Sequence, residues 1–162
     1  RGSDPDSAAG AVARAVLAAL EAAAVDPGEL ACASTSASGS VTLDRYEAAG
    51  LARALGAAAA ELPVTAAKAG FGEALGASGA LQTAVLLEAL RTGELPGVAG
   101  LERLEAGIPL AGIRAESIRI SGRIGLVTAL DRHGGAHALV LSVPPAGPRP
   151  ESGDREPEAR EP

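Results

Sequence analysis

The chain has 162 residues and a net charge of −6, which suits one compact domain and is too short for two ordinary ones. The negative balance and the lack of clustered Lys and Arg argue against nucleic-acid binding. The sequence has no apolar run of about 18 residues for a membrane span and no basic-then-apolar start typical of a signal peptide. We therefore expect a cytoplasmic protein whose partners include neither membranes nor nucleic acid.

Small side chains dominate the first half of the chain, and Phe71 and Tyr46 are the only aromatics. A core of Ala, Leu, Val and Gly fills by close backbone approach, which favours helices packed on a sheet. Asp44 followed by Glu47 resembles a capping box, and Gly56 is a typical helix end. We predict a helix over residues 7–24, a strand over 30–34, a loop over 35–41, a helix over 44–56 and a strand over 64–67.

The second half begins with a glycine-punctuated segment, residues 70–76, that leads into an apolar helix. This helix, residues 77–91, is apolar on nearly every face of its first turns, so we predict that it is a buried central helix. We further predict a long connection over residues 93–117, two strands over 118–130 and 136–143 joined by a hairpin, and a disordered tail over 144–162.

The order of these elements indicates an α/β fold with a mixed, mostly parallel sheet and an antiparallel C-terminal hairpin. The predicted organisation is a polar N-terminal segment, residues 1–6, one domain over 7–143, and the disordered tail, rich in Pro, Glu and Arg, over 144–162. This pattern by itself indicates no function.

One motif resembles a known family. Residues 64–81 read VTAAKAGFGEALGASGAL, which resembles the lysine-to-histidine motif of β-ketoacyl synthases, where a strand delivers a Lys, then four residues and a His, before a glycine- and alanine-rich helix start. Lys68 occupies the lysine position and Glu73 the histidine position. Residues 86–96, LLEALRTGELP, resemble the family's buried helix and its exit.

An upstream loop carries the second resemblance. Residues 36–40, SASGS, and the following DRYEA at 44–48 are similar to the family's His-Gly-Thr-Gly-Thr loop and the helix after it. Ser36 falls at the position of the first family histidine. Both histidine positions therefore hold other residues.

The C-terminal strand resembles the end of the same family. Residues 134–141, GGAHALVL, are similar to its closing Gly-Gly-Thr-Asn-Ala strand, with His137 in place of the Asn. Asp131 and His133 stand where the family has gating phenylalanines before the glycine pair.

The resemblance covers residues 7–143 and is closest to chain-length factors, the inactive partners of ketosynthases in type II polyketide systems. It implies the C-terminal half of a thiolase-like fold and a ketosynthase partner in a heterodimer, and it leaves the docking of an acyl carrier protein open. In this family a further strand precedes the first helix, so we expect an exposed sheet edge, and a second protein chain against that edge or the buried-helix region.

The residues at the two histidine positions are unsuited to condensation chemistry. Decarboxylative condensation needs a nucleophilic Cys and donors that stabilise an enolate and an oxyanion. Ser36 has a hydroxyl without the reach of an imidazole, and a carboxylate at Glu73 would repel developing negative charge. The resemblance gives Lys68 a structural role, with Glu73 as its nearby carboxylate partner. We therefore expect no catalytic residue in this chain.

The remaining candidate groups favour structural roles. Cys32, the only cysteine, excludes an intrachain disulfide, and its strand setting predicts a small buried hydrophobe rather than a reactive thiol. His133 and His137 have no third ligand nearby, so no metal is expected. No Lys-Ser/Thr pair follows Gly76 and Gly79, so no phosphate-binding cofactor is expected either.

Two other functions stay open. The chain could be the C-terminal half of an active β-ketoacyl synthase or related acyltransferase that another chain completes, although Ser36 and Glu73 weigh against this. It could also be a degenerate domain retained as a scaffold or interaction surface.

Overall fold

The computed structural model describes residues 5–145. Most of the predicted N-terminal segment, residues 1–4, and most of the predicted disordered tail, 146–162, lie outside the described residues. The helices are α1 (Pro5–Ala23), α2 (Val41–Leu55), α3 (Lys68–Phe71) and α4 (Ser78–Thr92), and the strands are β1 (Cys32–Ser34), β2 (Pro63–Thr65), β3 (Glu94–Leu95), β4 (Gly112–Ile113), β5 (Ile118–Arg119), β6 (Ile124–Leu130) and β7 (Ala136–Ser142).

The main sheet has five strands in the order β4-β2-β1-β6-β7. Four neighbouring strands run parallel, and β6 and β7 form an antiparallel hairpin with Leu126 opposite Val140. This confirms the predicted mixed, mostly parallel sheet with a C-terminal hairpin. Strands β3 and β5 pair separately as a two-stranded sheet.

Helices cover the sheet on two sides. Helices α1 and α2 pack together on one face, where buried Val12, Val16, Leu51 and Leu126 belong to one apolar cluster. Gly50 permits the close approach of these helices, because a Cβ on it would lie 2.5 Å from Val12 Cβ. Helix α4 packs on the other face.

Among the described residues, only one face of helix α4 is covered, whereas the sequence predicts a helix that is buried on nearly every face. Leu86 and Gln82 are buried against the sheet. On the opposite face Leu81 is 40% exposed and Leu87 37% exposed. The apolar composition therefore correctly predicted a helix that packs on the core, but no part of residues 5–145 covers its outer face.

Three local predictions differ from the structure. The predicted connection over residues 93–117 contains the short strands β3 and β4, and β4 joins the main sheet beside β2. Helix α2 begins at Val41, because Ser40 accepts a hydrogen bond from Leu43 N and is the N-cap, so Asp44 and Glu47 do not form its capping box. The predicted strand over residues 118–130 is two strands, β5 and β6, separated by a bend at Gly122 with φ of +119°.

The side chain of Glu47 joins three parts of the fold. It is 3% exposed, and its Oε1 accepts hydrogen bonds from Ser36 N (2.8 Å), just after β1, and from Thr128 Oγ1 (2.6 Å) on β6. Burial raises the pKa of Glu47 to about 7. The two hydrogen bonds favour the ionised form but do not offset the loss of hydration.

This raised pKa predicts a stability that falls as the pH rises. The unfolded carboxyl titrates at 4.5 and the folded one at about 7, so the folded state binds the extra proton between these values. The contribution of Glu47 is therefore fully present below pH 4.5 and decreases by about 3 kcal/mol as the pH rises through 7. We expect Glu47→Gln to remove this slope in denaturant unfolding measured from about pH 5 to pH 8.

Glu88→Gln is the matched control, because Glu88 is exposed and pairs with Arg91 on the surface of α4. It should leave the slope unchanged. A wild-type stability that is constant over this pH range, or a slope retained in Glu47→Gln, would show that Glu47 is not held in a desolvated state.

Candidate functional site

The residues predicted at the family's histidine and lysine positions meet at one edge of the sheet. Ser36 follows the carboxyl end of β1, and Lys68 follows the carboxyl end of β2 and begins α3. Because β1 and β2 are parallel neighbours, their carboxyl ends lie side by side. Glu73 lies in the short connection from α3 to α4.

Lys68 and Glu73 form an ion pair that we term the Lys68–Glu73 clasp. Lys68 Nζ lies 2.9 Å from Glu73 Oε2, and the lysine side chain is 10% exposed against 46% for the glutamate. The same carboxylate accepts hydrogen bonds from Leu75 N (2.9 Å) and Ser78 Oγ (2.5 Å). Three donors therefore bind the carboxylate of Glu73.

These donors set the ionisation of Glu73. The hydrogen bond from Ser78 first, and that from Lys68 second, hold the pKa of Glu73 at about 2. The carboxyl is therefore ionised throughout the physiological pH range. The clasp also fixes the backbone around Leu75, which has φ of +50° and is 79% exposed.

Ser36 is buried and shares the same lysine. Lys68 Nζ donates a hydrogen bond to Ser36 Oγ at 3.3 Å, and Ser36 Oγ donates to the carbonyl oxygen of Leu130 at 3.4 Å. The residue Ser36 is 5% exposed. It acts as a link between the lysine and the end of β6, and a lysine paired with a carboxylate is a poor base for activating it.

The loop after β1 is held by a second carboxylate, Asp44. Its oxygens accept hydrogen bonds from Ser38 N (3.0 Å) and Gly39 N (3.2 Å). Partial burial raises the pKa of Asp44, against the effect of these two bonds. Asp44 thus organises the loop that precedes α2 rather than opening the helix.

Gln82 is a site residue that the sequence reasoning missed. It is 1% exposed, and its Nε2 donates to the carbonyl oxygens of Thr35 (2.8 Å) and Thr128 (3.2 Å). It therefore ties α4 to the ends of β1 and β6. The available signal was an amide within an otherwise apolar stretch of the helix.

Cys32 lies inside the sheet, away from any reactive setting. It is fully buried and unpaired in β1, and burial raises the pKa of its thiol to about 12. Thiolate chemistry needs a lowered pKa and access to reactants. In this structure Cys32 has neither.

The hairpin histidines take no part in the site. Asp131 accepts hydrogen bonds from His133 N (2.7 Å) and Gly135 N (2.9 Å), which shapes the turn between β6 and β7. His137 lies on β7 opposite Ala129. Among the described residues there is no group of three His, Cys, Asp or Glu placed to hold a metal ion, and none of the described helices could span a membrane.

Known proteins are similar to this chain in sequence and in fold. The family Beta-ketoacyl synthase, C-terminal domain, matches residues 2–102. A polyketide beta-ketoacyl synthase of Streptomyces coelicolor is 37% identical over 139 residues, which cover 84% of this chain and 32% of the relative. The chain thus spans about a third of the length of that relative.

Two solved structures have the same fold at lower identity. The ishigamide ketosynthase/chain length factor matches with a TM-score of 0.74 and 24% identity over 81% of this chain and 32% of the other. A Xenorhabdus doucetiae ketosynthase in complex with its chain length factor matches with a TM-score of 0.69 and 23% identity over 82% of this chain and 33% of the other. The chain belongs to the β-ketoacyl synthase family and corresponds to its C-terminal, thiolase-like part.

Proposed function

We propose that the chain is the C-terminal part of a non-catalytic, chain-length-factor-like ketosynthase subunit. The observation that carries this proposal is the Lys68–Glu73 clasp. In the family motif that residues 64–81 resemble, the position of Glu73 is that of a histidine.

The charge of Glu73 opposes the chemistry of condensation. An enolate or oxyanion must be stabilised by donors or positive charge aimed at it. Glu73 is an ionised acceptor, and its hydrogen bonds with Lys68, Leu75 and Ser78 occupy the donors around it. Losing one oxyanion donor typically lowers the rate by about 10²–10³.

The other two candidate residues, Ser36 and Cys32, are also unsuited to catalyse condensation. Ser36, at the first histidine position, is buried and bonded to Lys68 and Leu130. Cys32 is a fully buried thiol, and burial raises its pKa to about 12. None of the three residues, Cys32, Ser36 or Glu73, supplies an activated nucleophile.

Solved relatives support a paired subunit. Two of the similar structures are described as a ketosynthase with a chain length factor. These descriptions concern those proteins, and a ketosynthase partner for this chain is our proposal. The docking of an acyl carrier protein is part of the same proposal, because another similar structure is described as an acyl-carrier protein in complex with its ketosynthase.

An active condensing enzyme completed by another chain is the second candidate. The observation that favours it is the 37% identity to a relative described as a polyketide beta-ketoacyl synthase, together with the lysine at position 68. In that case Lys68 would organise groups supplied by the other chain. The clasp with Glu73 makes this the weaker candidate.

We predict that the chain catalyses no condensation and forms no acyl-thioester intermediate. The full chain would be given a malonyl carrier protein and an acyl-primed carrier, with carbon dioxide release and protein acylation followed by mass spectrometry. An active ketosynthase in parallel shows that the substrates are competent. Without oxyanion donors or an activated thiol, turnover should stay at the level of the buffer alone.

Two results would contradict this prediction. Stoichiometric acylation that disappears in Cys32→Ala would identify Cys32 as a nucleophile. Turnover that disappears in Glu73→Gln would identify the carboxylate as an acid or base and favour the second candidate.

The surface proposed for the ketosynthase partner is the outer face of α4, defined by Ala80, Leu81, Ala84 and Leu87. All four are exposed, and the two leucines are large apolar side chains in contact with solvent. Leu139 on β7 is 48% exposed and lies opposite Val127, whose side chain packs on the α4 side of the sheet. Exposed apolar side chains therefore occur both on the helix layer and on the edge strand, as on surfaces that a partner covers.

We expect a type II ketosynthase subunit to bind this face. Leu81→Lys places a charge in the proposed interface and should weaken binding at least about tenfold in a sedimentation or surface-binding assay. The matched control is Leu17→Lys, because Leu17 is a leucine of similar exposure on α1. Equal losses in the two variants, or a wild-type chain that stays a monomer in the presence of the ketosynthase, would contradict the proposed surface.

A further inference from the structure

A cavity lies on the α2 side of the sheet, beside the clasp but separate from it. Its volume is about 230 Å³, larger than a cavity of about 150 Å³ that accommodates benzene. Ser36, Lys68 and Glu73 do not line it. Its apolar walls come from β2, β4 and the connection between β3 and β4: Val64, Leu101, Leu104, Ile108, Leu110 and Ile113.

The connection between β3 and β4 forms one wall and the cover of this cavity. It is attached to α2 by an ion pair between Arg45 and Glu105. Within the connection, Ile108 N donates to the carbonyl oxygen of Glu105, and Val98 N donates to that of Arg114, which directly follows β4. This connection therefore closes one side of the cavity and is joined to α2 by a surface ion pair.

Three acidic residues line the cavity. Asp44, Glu47 and Glu105 line it, and Arg103 is the one basic residue among the lining residues. Two nearby cations have other partners, since Lys68 pairs with Glu73 and Arg45 with Glu105. Neither Asp44 nor Glu47 is in an ion pair with these two cations, although the positive charge of Lys68 acts to lower the pKa of both carboxyls.

The charge and shape together define a class of ligand. Apolar walls favour a hydrocarbon body, while carboxylates accept hydrogen bonds and attract positive charge. We propose that this cavity binds a small amphiphilic amine, with an alkyl or aryl-alkyl body of about six to eight carbons and its ammonium group directed at Asp44 and Glu47. The proposal does not rest on condensation activity, because Ser36, Lys68 and Glu73 do not line the cavity, although Glu47 also accepts a hydrogen bond from Ser36 N.

The burial of the Asp44 and Glu47 carboxyls affects how they would respond to a bound ammonium group. The pKa values of Asp44 and Glu47 are both raised, with desolvation as the main cause. An ammonium group beside them would favour their ionised forms. Binding of the amine should therefore release protons from the protein near pH 7.

The experiment compares four probes of matched size or charge on the full chain: hexylamine, hexan-1-ol, hexanoate and methylamine. Binding is measured by calorimetry, and the contact residues are located by amide chemical shifts. We expect hexylamine to bind at least about tenfold more tightly than hexan-1-ol, and hexanoate to bind most weakly. Methylamine should give no saturation, because it lacks the apolar body.

Two variant pairs test the location. Ile108→Trp should fill the cavity and weaken hexylamine binding at least about tenfold, whereas Leu139→Trp, on β7, should not. Asp44→Asn should weaken hexylamine binding more than hexan-1-ol binding. Its control is Asp131→Asn, since Asp131 also accepts two backbone N–H groups but lies in the hairpin.

Hexanoate binding as tight as hexylamine would overturn the proposal, as would shifts confined to residues away from the cavity. The absence of saturable hexylamine binding to the wild-type chain would do the same. These outcomes need only the wild-type protein, so they hold even if a variant fails to fold. None of them depends on condensation activity.

Discussion

The desolvated carboxyl of Glu47 is the contact on which the arrangement of the site depends. Its hydrogen bonds hold the backbone of Ser36 and the side chain of Thr128 together across the sheet. Gln82 reinforces the same junction from the opposite face, through the carbonyl oxygens of Thr35 and Thr128. The carboxyl ends of β1 and β6 are thus fixed by buried polar contacts from two layers, because each buried acceptor needs a partner.

The Lys68–Glu73 clasp lies beside this junction, and we propose that it gives a structural role to a position that resembles the family's catalytic histidine. The largely buried side chain of Lys68 needs a partner for its charge, and Glu73 supplies it from five residues along the chain. The same carboxylate bonds to Leu75 N and Ser78 Oγ, so it also shapes the approach to α4. A fold can retain the geometry of a site while its charges no longer suit the original reaction.

Sequence patterns predicted the parts of this structure that depend on local order. The periodicity over α1, the glycine end of α2 and the hairpin turn were all visible, and the motif around Lys68 predicted its proximity to Glu73. The role of Glu47 was not visible, because its local spacing from Asp44 resembles a capping box, whereas its partner Thr128 is 81 residues away. Likewise, the bend at Gly122 and the bonds of Gln82 depend on contacts made only in the folded chain.

The ionisation of Glu73 tests the central claim most directly, namely that this carboxylate is held by Lys68 and does not act as a free acid or base. The measurement is an NMR titration of its side-chain carboxyl carbon in the full chain, with Lys68→Met for comparison. The account predicts a pKa of about 2 in the wild type and a higher value in Lys68→Met, where a donor and a positive charge are lost. A wild-type value near the ordinary 4.5, unchanged by Lys68→Met, would contradict the account.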